Sequence, residues 1–291
     1  MACVLPDQRE RCPVQKSLNS SCGAHLNGEQ NYHAPSSVEA MGNYGCRAKT
    51  YHLEQCDDRD FEFYRSQLDN APGPTLIVPC GVGRLLPVFL DRPMTYFMDL
   101  EVEMVRILKE RLEDIGRDAG NVLVGDILEL PKERYANIVV QAEAIQMFDP
   151  TRIGQVLSSI HGALTQEGMA IIDMATFLPG HGAPSYFDVR RKNSERWLSW
   201  EKSLDRDSML QRYVSHTRRQ NFIDFDFEYV NLKGGMEIER CRASVKLWLY
   251  DDSQFRKYCD DAGLHVDAVW FGYSRGQALD GARLIYKVCK S

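Results

Sequence analysis

"TLIVPCGVGRLLPVFLDRPMTYFMDLEVEM", Thr75 to Met104, runs apolar strand, glycine turn, apolar helix and second strand, and ends just past a lone acid, Asp99. Gly81-Val82-Gly83 leaves the backbone bare where strand meets helix, so a ligand can touch peptide atoms that a side chain would shield. A carboxylate at the end of the next strand is placed to accept hydrogen bonds from ribose hydroxyls. Further on, "NVLVGDILELP" puts a second acid, Asp126, after a third strand. There it can accept from the exocyclic amine of an adenine. Acids for ribose and adenine at successive strand ends point to a nucleoside-bearing cofactor.

Working outward, strand candidates recur at Thr75–Val78, Thr95–Met98, Asn121–Val124, Asn137–Val140 and Met169–Ile172. Each is short and almost continuously apolar, as parallel strands covered on both faces are. Helical spacing fills the gaps: Val105, Leu108, Leu112 and Ile115 in one stretch, Ile153, Val156, Leu157, Ile160 and Leu164 in another. Strand and helix in alternation predict an α/β fold with a doubly wound parallel sheet. An earlier helical stretch from Ala48 to Leu68 stops at "APGP", because proline cannot continue a helix.

The alternation breaks after Asp173. Trp197 and Trp200, three apart, read as one face of a helix. "NFIDFDFEYV" alternates apolar and acidic residues as a half-buried antiparallel strand does, "LKGGM" supplies the turn, and "ASVKLWLY" returns. The apolar phase slips between Ile238 and Cys241, which predicts a bulge. The first pattern then resumes with a capping box, Asp251 with Gln254, a helix ended by Gly263, and strands His265–Phe271 and Arg283–Cys289. The expected organisation is therefore an arm (1–45), a cofactor-binding core (46–173), an inserted helix-plus-hairpin lid (174–250) and the end of the core (251–291).

Composition narrows the function. Of 291 residues, 44% are hydrophobic and 26% charged, ordinary for a soluble globular chain. A net charge of −6 gives no field for a phosphate backbone, so nucleic acid is not an expected partner. No apolar run spans a bilayer and "MACVLPDQRERCPVQK" has no secretory pattern, so the expected location is the cytoplasm, with no membrane partner. The nine cysteines are scattered without a C-x-x-C pair, which predicts reduced thiols and no metal site. Cys80 alone lies inside the glycine turn.

A dinucleotide fingerprint would want a small residue at position 86, where Leu86 stands. S-adenosylmethionine has no phosphate and needs no anion hole. The segment from Tyr51 to Asp173, with the last helix and strand pair, resembles the class I S-adenosylmethionine-dependent methyltransferases, in particular bacterial small-molecule enzymes with the turn E-L-G-C-G-T-G-R. "IVPCGVGR" keeps Cys80, Gly81, Gly83 and Arg84, with Ile77 and Pro79 in place of the acid and the first glycine. The resemblance implies a seven-stranded, mostly parallel sheet. It also implies Asp99 at the ribose, Leu100, Met104 and Ile127 around the adenine, Asp126 at its amine, and Tyr51 or Tyr64 at the cofactor carboxylate.

In that fold "VVQAEAIQMF" borders the methyl group, so Gln141 is expected at the methionine part and Glu143 to orient an amine or take its proton. His216 is an alternative base. The insertion houses substrate recognition in such proteins, which makes Tyr186, Trp197, Trp200 and Tyr213 candidate aromatic walls. The expected function is methylation of a small molecule, at nitrogen first and oxygen second. An NAD-linked oxidoreductase and a non-catalytic S-adenosylmethionine-binding protein are the alternatives. The hairpin Phe222–Tyr250 is a candidate edge for a homodimer.

Overall fold

The computed structural model describes residues 44–54, 58–176, 191–273 and 283–291. Helix α1 (Tyr44–Glu54) begins inside the stretch read as an arm; most of that arm lies outside the described residues, as does Tyr186. Then follow α2 (Phe61–Leu68), β1 (Thr75–Ile77), α3 (Leu86–Phe89), β2 (Thr95–Asp99), α4 (Val102–Asp114), β3 (Val122–Val124), β4 (Tyr135–Val140), α5 (Ile153–Ala163) and β5 (Leu164–Ala175). The chain closes with α6 (Asp252–Asp261), β10 (Leu264–Phe271) and β11 (Arg283–Lys290).

Together these strands form a seven-stranded sheet in the order β10-β11-β5-β4-β1-β2-β3. β1 to β5 are mutually parallel, and β11 runs antiparallel between β5 and β10. The order reverses between β1 and β4, and in open α/β sheets ligands bind outside the carboxyl ends of the strands at such a point. β1, β2, β4 and the second half of β5 are buried on both faces. Tyr135, Ile138, Val140, Ile153, Val156 and Ile160 belong to one core, and Ile77, Phe97, Leu108 and Val139 to another. The predicted capping box is present at Asp251 and Gln254, and Gly263 follows with φ of 78°.

The insertion differs from expectation. Its described part is a four-stranded antiparallel sheet of β6 (Trp197–Ser203), β7 (Ser208–Arg218), β8 (Phe222–Lys233) and β9 (Met236–Trp248), in that order. The tryptophans lie on β6 and not on a helix. Residues three apart on a regular strand face opposite ways, but the register steps from Leu198↔Tyr213 to Trp200↔Arg212, so Ser199 is an extra residue. That bulge returns Trp197 and Trp200 to one apolar cluster with Phe225, Phe227 and Tyr229. The bulge expected near Ile238 is also there: pairing steps from Asn231↔Glu239 to Leu232↔Glu237. The turn between β8 and β9 has positive φ at Gly234 and Gly235, as a primed hairpin turn requires.

Gln146 ties this second sheet to the first. Its Nε2 donates to the carbonyls of Ala175 (3.2 Å) and Trp248 (3.1 Å), and its Oε1 accepts from the Ala175 N–H at 2.7 Å. No helix among the described residues is long and apolar enough to cross a membrane.

Candidate active site

Asp99 closes β2 with its carboxylate turned onto the glycine turn. The Gly81 N–H donates to Oδ2 at 2.7 Å and the Glu101 N–H to Oδ1 at 3.0 Å. Burial pushes this carboxyl up to about 6, against the pull of those amides. Gly81 and Gly83 have φ of 54° and 82°, and both are closely approached. A Cβ on Gly81 would lie 3.3 Å from the Tyr51 ring, and one on Gly83 would lie 2.3 Å from Leu108 Cδ1. Bare backbone is thus needed twice, once under Tyr51 and once for packing on α4. Arg111 of α4 donates to the Val82 carbonyl and pins the turn.

Tyr51 also packs with Ala48, Val82 and Met104 in a small apolar patch beside the turn. Leu100 is half-buried just after Asp99. The Gly125 N–H donates to the Asp99 carbonyl at 3.0 Å, which brings Asp126 beside Asp99 along the sheet edge. Asp126 Oδ1 accepts from the Leu128 N–H at 2.9 Å and starts a short 3-10 turn in which Ile127 is buried. Cys80 is buried too, and burial pushes its thiol well up, with Asp99 adding to the effect. It packs under the turn as a thiol.

A second group of polar side chains lies at the carboxyl ends of β4 and β5. Gln141 Nε2 donates to the Pro79 carbonyl at 3.1 Å, and its Oε1 accepts from Arg84 at 2.9 Å. Arg84 grips both oxygens of Asp60, at 2.7 and 2.6 Å. Ala142 and Glu143 are both left-handed, with φ of 56° and 59°. Such a conformation in non-glycine residues costs about 1–3 kcal/mol each and is concentrated at ligand sites. Arg283, on β11, pairs with Glu143 and donates to Asp173 Oδ1 at 2.8 Å, while the Tyr273 hydroxyl donates to Asp173 Oδ2. Burial pushes the Glu143 carboxyl up, opposed by Arg283. Tyr64 is wholly buried beside this group.

A third network joins α1 to the inner face of the second sheet. Glu54 accepts from Arg47 at 2.8 and 2.7 Å, from Arg212 at 2.9 Å and from the Tyr229 hydroxyl at 2.7 Å. Trp200 lies against both Arg212 and Tyr229. His216 faces the same interior, its ring against Trp197 and Phe225. Tyr213 alternates to the opposite face, where the Arg196 guanidinium stacks on it at 3.4 Å. So Gly81, Gly83, Asp99, Asp126 and Tyr51 come together, Gln141 and Glu143 join the arginine network, and the proposed aromatic wall divides between two faces.

Sequence reasoning missed Asp60, Glu54, Arg212, Tyr273 and Arg283. Asp173 was visible as an acid ending an apolar strand, but its partners lie about a hundred residues further on. The expectation of reduced thiols throughout fails at Cys241, which is disulfide-bonded to a partner outside the described side chains. Spacing rules for local cysteine pairs do not see such a bond.

No protein-family model and no curated sequence matches the chain. Solved structures do. An S-adenosylmethionine-dependent methyltransferase from Clostridium acetobutylicum superposes with a TM-score of 0.68 at 16% identity, over 85% of this chain and 99% of that one. The sugar N-methyltransferase KedS8 from Streptoalloteichus gives 0.61 at 12%, over 92% and 100%. CalS10, an amino pentose methyltransferase from Micromonospora echinaspora solved with S-adenosylmethionine, gives 0.58 at 13%, over 89% and 100%. At these identities the likeness is one of fold: the Rossmann-like fold of class I methyltransferases.

Proposed function

We propose that this chain is an S-adenosylmethionine-dependent methyltransferase acting on a small molecule, with nitrogen as the first acceptor and oxygen as the second. The observation that carries it is the pair Asp99 and Asp126 on adjacent strand ends, beside a glycine turn that Tyr51 covers so closely that a methyl on Gly81 would crowd its ring. The residues present fit the cofactor. Asp99 would take the ribose hydroxyls, Asp126 the adenine amine, and Leu100, Met104 and Ile127 the adenine faces. Gly81, Gly83 and Gln141 would border the methionine part, and Tyr51 would reach its carboxylate.

When bound, the cofactor supplies an electrophilic methyl on a sulfonium. The chain's own tasks are then alignment, exclusion of water and removal of a proton. Glu143, past the end of β4 and raised by burial, would take the proton of an acceptor amine on its carboxylate. Arg283 would keep that carboxylate in place. Trp197 and Trp200 would wall the acceptor, while Tyr213, on the outer face, is a weaker candidate. His216, enclosed by aromatic rings, remains the alternative base. Leu86, 5% exposed, fills the place where a dinucleotide site would need a small residue, so an oxidoreductase reading has less support.

The reading carries with it a cytoplasmic location, the core and insertion bounds given above, and a homodimer formed through the second sheet's edge. Its test is release of S-adenosylhomocysteine from the full chain with panels of amines and of alcohols. Turnover confined to amines is the expected result. Cofactor binding without turnover on any acceptor would instead favour the non-catalytic reading.

A further inference from the structure

The insertion leaves the first sheet at the end of β5 and rejoins it after β9, and one side chain holds both points. Ala175 is the last residue of β5 and Trp248 the last of β9. The Gln146 amide spans them: Nε2 donates to the two carbonyls, at 3.2 and 3.1 Å, and Oε1 accepts from the Ala175 N–H at 2.7 Å. The amide is fixed in this orientation, since a flip would set its oxygen against two carbonyls and its NH2 group against an N–H. Gln146 is fully buried, so water does not stand by to replace these bonds when the amide is lost.

Gln146 lies in the turn that follows β4, three residues past Glu143. That turn is closed by its own backbone: the Ala144 N–H donates to the Gln141 carbonyl at 3.1 Å and the Gln146 N–H to the Glu143 carbonyl at 2.8 Å. The Tyr250 hydroxyl, two residues past β9, adds a bond to the Phe148 carbonyl at 2.6 Å. Met147 packs against the apolar cluster that holds Trp197 and Trp200. Gln146 therefore joins the segment that bears the proposed base to the sheet that bears the proposed acceptor walls. Among the described residues, none of its side-chain hydrogen bonds reaches the glycine turn, Asp99 or Asp126.

We infer that Gln146 is a positioning residue: it sets the distance and angle between Glu143 and the tryptophan walls of the second sheet, and so the approach of the acceptor to the methyl group. The inference rests on the methyltransferase reading and deepens it. In-line displacement depends on such alignment, and a misplacement of about 1 Å can cost roughly 100-fold in rate. Losing this amide should thus weaken turnover while leaving the cofactor site as it was.

The test is steady-state kinetics of the full chain on the amine that the wild type turns over fastest, read as S-adenosylhomocysteine release, with Gln146→Met and Gln146→Asn beside it. Gln146→Met keeps the length of the side chain and removes all three bonds. It should lower kcat about 10–100-fold and raise the KM for the amine, with the Kd for S-adenosylmethionine unchanged. Gln146→Asn keeps the amide on a stem one methylene shorter and should recover part of the lost kcat. A purely structural role would lower the melting temperature of Gln146→Met and leave kcat and KM of the folded protein at their wild-type values, which would overturn the inference. Cofactor affinity that falls in step with kcat would overturn it too. Should Gln146→Met fail to fold, Tyr250→Phe, which removes only the bond to the Phe148 carbonyl, takes its place and should show the same split between kcat and cofactor Kd to a smaller degree. If the wild type binds the cofactor and methylates no acceptor, the methyltransferase reading itself falls and takes the inference with it.

Discussion

Glu54 and Glu143 are both buried carboxylates paired with arginine, yet their surroundings differ in a way that separates architecture from chemistry. Glu54 is saturated. Two arginines and a tyrosine fill its oxygens, and although burial alone would raise its carboxyl, Arg47, Arg212 and Tyr229 hold it below the ordinary value. Glu143 stands on left-handed backbone near a buried tyrosine hydroxyl that has no hydrogen-bond partner, and burial pushes its carboxyl up against the pull of Arg283. A network that satisfies itself fixes α1 on the second sheet. The other leaves a carboxyl raised by burial and a hydroxyl unpaired.

The largest expected effect breaks the saturated side. Removing one partner of a buried ion pair costs about 3–5 kcal/mol, so Glu54→Ala should lose that much in urea unfolding, leaving Arg47 and Arg212 without their carboxylate. Because the Glu54 carboxyl is depressed, its contribution is present above the ordinary carboxylate range and is lost as pH falls through its folded value. A variant as stable as the wild type would show that the network contributes no net stability.

A middle effect sharpens the ligand side. Asp99→Asn should weaken S-adenosylmethionine binding by roughly 10–100-fold, the worth of hydrogen bonds to a charged acceptor. In the wild type, affinity should fall as pH drops through about 6, where Asp99 takes up a proton. The sign for stability is opposite: a carboxyl raised in the folded state favours the ligand-free fold below its unfolded value near 4, and that contribution is lost as pH rises through about 6. Calorimetry from pH 5 to 8 reads the first trend, and the asparagine variant should show no such slope.

The smallest effect belongs to the outer face of the second sheet. Burial lifts the Glu228 carboxyl, but Arg196, Arg240 and Arg242 bring it down to about 2. Those arginines are 48%, 38% and 75% exposed, and exposed pairs contribute only about 0–1 kcal/mol. Glu228→Gln should therefore shift stability by no more than that in thermal unfolding at physiological salt. A loss comparable to that of Glu54→Ala would erase the distinction drawn between the networks.

How legible each region was in the sequence follows the same division. The parallel strands, the glycine turn and both acids are local patterns, and the strands fall within a few residues of where their apolar runs place them. The second sheet was half visible. β8 alternates cleanly, but β7 turns Arg212 and His216 inward among its buried apolar residues, so its alternation is hidden in sequence. β6 imitates a helix because the Ser199 bulge gives its tryptophans helical spacing. The charge networks were not legible, since Arg283 meets Asp173 across 110 residues and Arg212 meets Glu54 across 158. Only the folded topology brings such partners together.

The edge formed by Gly81, Asp99 and Asp126 is proposed as a site for S-adenosylmethionine. The most direct measurement is isothermal titration of the full chain with that cofactor and, separately, with NAD. Micromolar binding of S-adenosylmethionine, lost in Asp99→Ala, with no heat from NAD, is the predicted result. Binding of NAD, or of neither ligand by a correctly folded protein, would contradict it.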